Sequence, residues 1–188
     1  MSIGRLPILA IVALGMALAS CGPSTAGSQL AVNGEPVSVE LYHAIVSTEQ
    51  HKFEWIGSPV NWQSPSGQRR RADIEASVIR ELVRDAVVEQ LAAAHGITVT
   101  AADLEQGLAA AEQTFGGPVA FEQDLEQAGL ARSEFSSLLR YRMLESRLTQ
   151  RGAASEAAIA KAVGRARVVA TIGPCAGNHT YPACLTPN

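Results

Sequence analysis

The stretch VIRELVRDAVVEQLAAAHGITVTAADLEQGL, residues 78–108, decides the fold of this chain. Its apolar residues recur every three or four positions, which is the spacing of one helix face, and this spacing extends back to residue 72. Gly96 marks the end of this helix, because glycine readily takes the left-handed conformation that follows a helix C-terminus. Thr100 and Asp103 then form the capping signal of the next helix. We therefore predict a long helix over residues 72–94, with a buried face of Ile74, Val78, Ile79, Leu82, Val83, Ala86, Val87 and Leu91.

Helical signals continue on both sides of this stretch. Ser38 is a typical N-cap residue, Pro118 suits the first position of a helix, and Gly129 suits the position after a helix end. The further helices are predicted over residues 39 to about 52, 101 to about 114, 118–128, about 133–150 and roughly 155–164. The helix over 133–150 should bury Phe135, Leu138, Leu139, Met143, Leu144 and Leu148.

Two short stretches of β-forming residues flank the helices. Residues 30–38, LAVNGEPVS, indicate a strand and an Asn-Gly turn, and residues 166–173, ARVVATIG, indicate a strand of β-branched residues. An isolated strand needs a partner, so we expect these segments to pair. The predicted fold class is mainly α, with five to six helices and a small two-stranded β element that pairs the N- and C-terminal segments.

The first 20 residues have the features of a targeting segment. Arg5 precedes an apolar run over residues 6–18, which is shorter than the 18 or more residues of a membrane-spanning helix. The segment ends in LASC, residues 18–21, which resembles the lipobox of bacterial lipoproteins, whose cysteine carries diacylglycerol. We expect a signal peptide over 1–20, lipidation of Cys21, a flexible tether over 21–29, and anchoring on the extracytoplasmic face of a membrane. The alternative is an ordinary secretory signal with a chance cysteine.

The charge balance argues against nucleic acid as a partner. The 188 residues include 15 basic and 18 acidic side chains. Removal of the signal peptide also removes Arg5 and so makes the net charge more negative. Arg69, Arg70 and Arg71 form the only local basic run. We interpret this run as a solvated lead-in to the long helix, with contact to anionic lipid as the alternative.

Residues 53–68 interrupt the helical periodicity with two glycines and two prolines, which predicts a long loop. Its first part, FEWIGSPVNW, concentrates apolar side chains, and exposed aromatic residues often dominate binding sites. The candidate binding residues are Phe53, Trp55, Ile56 and Trp62. The alternative is that the loop folds back and its tryptophans complete the core.

The C-terminal tail, residues 173–188, contains Cys175 and Cys184. In a disulfide-permitting compartment we expect these two cysteines to form one disulfide. A metal site of Cys175, His179 and Cys184 is the weaker alternative, since it offers only three ligands.

No constellation of residues indicates catalysis, a cofactor or a resident metal. The four histidines stand apart in the sequence, and no nucleophile, zinc or phosphate-loop motif is present. We therefore predict that the chain is not an enzyme.

The order of these features resembles a known family, the N-terminal chaperone domain of SurA and of the related PrsA-type lipoprotein foldases. The resemblance covers about residues 30–172. It rests on LAVNGEPVS, on the stretch over 78–108, and on FGGPVAFEQDLEQAGLARSEFSSLLRYRMLESRL, residues 115–148. It implies a helical domain that binds unfolded proteins.

Many proteins of this family also carry a parvulin-type prolyl isomerase domain. Only 38 residues follow Gln150, and fewer than about 40 residues rarely form a stable domain alone. We therefore expect no isomerase activity. The leading hypothesis is a membrane-tethered, ATP-independent chaperone that binds unfolded or partly folded exported proteins. The alternative is a lipoprotein adaptor for one specific envelope protein.

Overall fold

The computed structural model describes residues 28–177 and 180–186, so Cys21 and His179 lie outside the described residues. Its elements are β1 (Leu30–Val32), β2 (Glu35–Pro36), α1 (Val39–Trp55), α2 (Pro65–Ala94), α3 (Ala101–Thr114), α4 (Pro118–Ala128), α5 (Arg132–Gln150), α6 (Glu156–Val163) and β3 (Val168–Ala170). Two short 3-10 turns, Gly173–Cys175 and Ala183–Leu185, follow β3. The predicted mainly α fold is confirmed. Within this described part, no helix combines the length and the apolar character needed to cross a membrane.

The N- and C-terminal segments pair in a small antiparallel sheet with the strand order β2-β1-β3. Ala31 stands opposite Val169 in the β1–β3 pair, as the predicted pairing of these segments requires. The sheet has one more strand than predicted, because the chain returns after Val32 as a hairpin. Asn33 and Gly34 both have positive φ, 55° and 91°, which is the conformation of a tight two-residue hairpin turn.

Helix α2 is the centre of the fold, and two groups of buried side chains lie along it. The first group joins α2 to α1, the sheet and the tail, and its most buried side chains include Leu30, Val32, Ile79, Leu82 and Val83. The second group joins the end of α2 to α5 and α6 and consists of Val88, Ala92, Ile97, Leu144, Leu148, Ala154 and Ile159. The face predicted from the apolar spacing is therefore the face that packs, although Ile74, Ala86 and Leu91 are only partly buried.

Helices α3, α4 and α5 form a thinner part of the molecule. Within residues 101–114 of α3, no side chain is fully buried. Phe121 of α4 is fully buried against Phe115 and Phe135, with ring centroids 5.6 and 5.0 Å away. On α5 only Leu144 and Leu148 are fully buried. The other four predicted core residues of this helix are half-buried, because one layer of helix covers them: Phe135, Leu138, Leu139 and Met143.

An ion pair ties α3 to α5. Arg147 lies 2.7 Å from one carboxylate oxygen of Asp103. The second oxygen accepts from the N–H and the hydroxyl of Thr100 and also from Arg147. The hydrogen bond from Arg147 and those from Thr100 hold the pKa of Asp103 far below its usual range. The capping box predicted from Thr100 and Asp103 is thus confirmed, and Arg147 adds a contact that the local sequence does not reveal.

The predicted loop over residues 53–68 is too long, and this prediction is wrong at both ends. α1 continues to Trp55 and α2 already begins at Pro65, so the connection covers only residues 56–64. The proline occupies the tolerated first turn of α2, where no helical hydrogen bond is lost. Gly67 lies in the same turn for a packing reason given below. Trp55 therefore belongs to α1 and Trp62 to the connection.

Candidate functional site

The four candidate binding residues lie together at the end of α1 and in the connection to α2. We call the surface formed by Phe53, Trp55, Ile56 and Trp62 the 53–62 surface. The rings of Phe53 and Trp62 meet edge to face with centroids 5.8 Å apart. Trp55 is 51% exposed and Ile56 is 70% exposed. The sequence left open whether this segment completes the core, and the structure places all four side chains outside both groups of buried residues.

The guanidinium of Arg70 supports the inner half of this surface. Its central carbon lies 4.9 Å from the centroid of the Phe53 ring, which is within the range of a cation–π contact. Phe53 therefore contacts both Arg70 on α2 and Trp62 in the connection. Trp55 and Ile56 face solvent.

The connection is fixed to the first turn of α2 by close backbone packing. Ser64 caps α2: its hydroxyl donates to the carbonyl of Asn61 at 2.7 Å and accepts the N–H of Gly67 at 3.0 Å. Gly67 is buried, and a Cβ atom there would stand 2.1 Å from the carbonyl oxygen of Asn61. Glycine is therefore required at this helical position so that the connection can lie against the helix. The 53–62 surface is supported by a defined loop geometry.

A shallow groove of about 350 Å³ runs from this surface along α1 and α2. Ile74 and Val78 supply its apolar part, and Glu49, Arg70 and Asp73 supply charged groups at its rim. Arg70 lines the groove and also contacts the Phe53 ring. The groove and the 53–62 surface therefore meet at Arg70.

Sequence reasoning missed a second exposed apolar patch at the turn between α3 and α4. Phe115 is 45% exposed and Val119 is 71% exposed. These residues flank Gly116, Gly117 and Pro118, and the sequence analysis used this turn only as a helix boundary. The signal in the sequence was one bulky apolar residue on each side of a glycine-rich turn, a position that is usually exposed.

The interface of α2 and α5, by contrast, is covered by ion pairs. Arg84 contacts Glu145 at 2.5 Å and Glu156 at 2.8 Å, and Arg142 contacts Glu81 at 2.7 Å. Arg140 and Glu89 form a further pair across the same interface. These charged side chains leave little apolar surface there for a ligand.

One carboxylic acid, Asp85, is buried in this interface. It is 3% exposed and has acidic and basic neighbours on both helices, namely Glu81, Arg84, Arg142 and Glu145. Burial raises the pKa of Asp85 to about 7, and the negative charge of Glu81 adds to the shift. Asp85 is therefore partly protonated near neutral pH. It lies away from the 53–62 surface, so we assign it no part in binding.

The structure joins Cys175 and Cys184 in a disulfide, as the sequence predicts, with Cα atoms 5.0 Å apart. Cys175 and Leu185 are buried against α2, and Arg80 of α2 donates to the carbonyl of Leu185 at 3.5 Å. Both sulfurs of the alternative metal site are thus used in the disulfide. Over residues 28–177 and 180–186 we find no group of three or more side chains placed to hold a metal ion.

Comparisons with known proteins identify the family. The family model for the SurA-like N-terminal domain matches residues 3–149. No curated protein and no solved structure matches the chain. The matched region contains α1 to α4, nearly all of α5 and the whole 53–62 surface, and the family is of the chaperone type. This chain therefore belongs to the family of SurA-like N-terminal domains.

Proposed function

We propose that this protein is a membrane-tethered chaperone of the extracytoplasmic space that holds unfolded or partly folded exported proteins at the 53–62 surface. The observation that carries the proposal is the exposure of Trp55 at the end of α1 and of Ile56 at the start of the connection, in a domain of a chaperone-type family. Binding of this kind needs neither ATP nor a cofactor. Prolyl isomerase activity is not part of the proposed function.

The chemistry of the surface suits unfolded polypeptides. Unfolded chains expose apolar side chains, and burial of these side chains against Trp55 and Ile56 gains roughly 25 cal/mol per Å² of apolar area. Aromatic side chains also supply large contact areas at low cost in conformational entropy. Since Phe53 and Trp62 already pack on each other, the surface loses little freedom when a client binds.

The groove between α1 and α2 extends this contact beyond the loop. An extended segment that lies along Ile74 and Val78 directs alternate side chains towards the groove and towards solvent. The charged rim of Glu49, Arg70 and Asp73 accommodates polar groups of either sign. This arrangement favours many different sequences of moderate apolar content over one specific sequence.

The proposed tether is the acyl-modified Cys21, and its basis is the LASC sequence. Two or three acyl chains give stable attachment where a single chain gives only marginal binding. Membrane lipid is therefore a second proposed partner, through the anchor, and nucleic acid is not proposed because the chain is acidic overall.

An aggregation assay with several unrelated unfolded substrates tests this proposal. The purified protein, without ATP, should suppress the aggregation of all of them at comparable concentrations. If the protein acts on a single envelope protein and on none of the other substrates, the adaptor hypothesis replaces the chaperone hypothesis. No suppression of any substrate would contradict the proposed function outright.

A further inference from the structure

The surroundings of the 53–62 surface have a charge pattern that unfolded clients do not require. Residues 52–71 contain Lys52, Arg69, Arg70 and Arg71 but a single acidic residue, Glu54, and Glu49 and Asp73 line the neighbouring groove together with Arg70. Lys52 pairs with Glu49, and Arg71 pairs with Glu75 at 3.1 Å. Across residues 28–177 and 180–186, no carboxylate lies within ion-pair distance of Arg69 or Arg70, and both side chains are exposed.

The connection between these basic residues and α1 carries no charge at all. Its sequence over residues 56–64 is IGSPVNWQS, and it is flanked by the exposed ring of Trp55. A charged side chain is costly to place in the apolar part of a bilayer, whereas tryptophan favours the interface between lipid and water. An uncharged connection flanked by Trp55 and begun by Ile56, next to two arginines without an ion-pair partner in the described residues, has the composition of an interfacial lipid contact.

Helices α3 and α4 have the reverse charge. Residues 101–128, which form α3 and α4, contain six acidic residues and no basic ones. Arg132 and Arg147 of α5 pair with Asp103, Glu112 and Glu122, and the remaining acids are Glu105, Asp124 and Glu126. An anionic surface therefore attracts Arg69 and Arg70 and repels the acidic side chains of α3 and α4. Helix α4 meets α1 at Ala128, whose carbonyl accepts from the hydroxyl of Thr48.

The chain enters the fold near the basic end of α2. The N–H of Gln29 donates to the hydroxyl of Thr171 at 2.9 Å, and the N–H of Thr171 donates to the carbonyl of Gln29 at 2.8 Å. Two residues later, a Cβ atom at Gly173 would lie 3.3 Å from Cβ of Glu75, which is the partner of Arg71. Seven residues lie between Cys21 and Gln29, and the eight Cα–Cα steps that join these two residues span at most about 28 Å. An anchor at Cys21 therefore keeps the arginines close to the bilayer.

From these observations we infer that the 53–62 surface docks on the anionic surface of a phospholipid bilayer when no client occupies it. Trp55 and Ile56 enter the headgroup region, and Arg69 and Arg70 contact lipid phosphates. The inference rests on the proposed function for the anchor and for the site, and it adds a regulatory step. Anionic lipid and client compete for the same residues, so a client releases the domain from the membrane surface.

Tryptophan fluorescence tests this docking directly, because the chain has only two tryptophans. In the variant Trp62→Phe, Trp55 is the only remaining tryptophan. The new phenylalanine keeps an aromatic ring next to Phe53. The full protein is reconstituted into vesicles of brominated phosphatidylcholine with or without phosphatidylglycerol. We expect strong quenching of Trp55 by the brominated chains in the anionic vesicles and weak quenching in the neutral ones. High salt should reverse the difference.

Charge variants show whether the two arginines cause this docking. Arg69→Glu with Arg70→Glu should lower the ratio of docked to undocked domain by at least roughly 25-fold, since each basic residue contributes about fivefold at an anionic surface. Arg151→Glu with Arg165→Glu makes the same change of charge at two exposed positions elsewhere and should preserve the quenching. Equal quenching in all these variants, or in both kinds of vesicle, would overturn the inference.

These experiments distinguish a failure of the docking inference from a failure of the proposed function. Client binding is measured without vesicles, with anionic vesicles and with neutral vesicles. Anionic vesicles should reduce client binding, and neutral vesicles should not. If the protein holds clients and floats with vesicles but Trp55 is unquenched, the docking inference is wrong and the chaperone stands. If Trp55 is quenched but no client is held, the proposed function is wrong and the docking stands.

Discussion

The carbonyl oxygen of Asn61 lies so close to Gly67 that a Cβ atom at Gly67 would stand 2.1 Å from it. An alanine in a helix is normally more stable than a glycine by roughly 0.5–1 kcal/mol. Here we predict the opposite sign, because Gly67→Ala forces the loop that carries Trp62 away from α2. The variant should unfold at lower urea concentration and bind clients more weakly.

The matched control is Gly164→Ala at the end of α6. A Cβ atom there would meet its nearest neighbour, the carbonyl oxygen of Ala160, at an ordinary 3.6 Å. This control should be neutral or stabilising. If Gly67→Ala is as stable as the control and retains client binding, the loop does not depend on this packing.

The buried acid Asp85 predicts how stability depends on pH. Its pKa in the folded chain is about 7, above the ordinary value of 3.8, so the unfolded chain releases this proton more readily. The free energy of unfolding should therefore fall as the pH rises from about 4 to about 7, by at most about 1.4 kcal/mol per pH unit from this group, and change little from it at higher pH. Urea unfolding at several pH values measures this slope.

Asp85→Asn removes the titrating group and should flatten the profile, and above pH 7 the variant should be more stable than the parent. Asp124→Asn is the control, because Asp124 is exposed on α4. Parallel profiles for the parent protein and Asp85→Asn would contradict the assignment of this pH dependence to Asp85.

The disulfide between Cys175 and Cys184 should stabilise the tail against α2. A disulfide that closes a loop of ten residues lowers the conformational entropy of the unfolded chain, which stabilises the folded state by about 2.7 kcal/mol. The double variant Cys175→Ala and Cys184→Ala should lower the free energy of unfolding by an amount of this order. Reduction of the parent protein should have a similar effect, and an unchanged urea midpoint in both experiments would exclude a stabilising role.

Membrane attachment through Cys21 is tested by Cys21→Ser. The variant should lack the mass of the acyl groups and leave the membrane fraction, since no acyl anchor can form. Continued association of an unlipidated protein with membranes would show that another part of the chain holds it there.

The elements that the sequence predicts well are those whose signals are local. Thr100 and Asp103 are three residues apart, and their capping box is present as predicted. Gly129 ends α4 in the left-handed conformation. The pairing of residues 30–32 with 168–170 was also predictable, because the strand over 168–170 has no neighbouring strand in the sequence to pair with.

The sequence misleads where a contact between distant atoms decides the structure. Pro65 and Gly67 resemble helix breakers, yet α2 begins at the proline and needs the glycine to pack on Asn61. Asp85 looks like an ordinary polar residue of a long helix, and only the approach of α5 buries it. Among the candidate site residues, the sequence selected Phe53 and Trp62 but gave no sign that their rings pack on each other.

The central claim is that clients bind at the 53–62 surface, and one comparison tests it most directly. Trp55→Ala with Ile56→Ser removes the two most exposed side chains of this surface, whereas Phe115→Ala with Val119→Ser removes the second exposed patch. The first double variant should keep nearly the stability of the parent, because substitutions of exposed residues usually change it by less than about 0.5 kcal/mol. The second should lose somewhat more, because it also removes the contact of the Phe115 ring with Phe121.

The measurement is the affinity of each variant for a permanently unfolded, fluorescently labelled polypeptide, with urea unfolding as the check on stability. We predict that Trp55→Ala with Ile56→Ser binds at least roughly tenfold more weakly, which is the usual scale for a lost aromatic hot spot. Phe115→Ala with Val119→Ser should bind like the parent. Full affinity in the first variant, with or without loss in the second, would contradict the claim that the 53–62 surface holds the client.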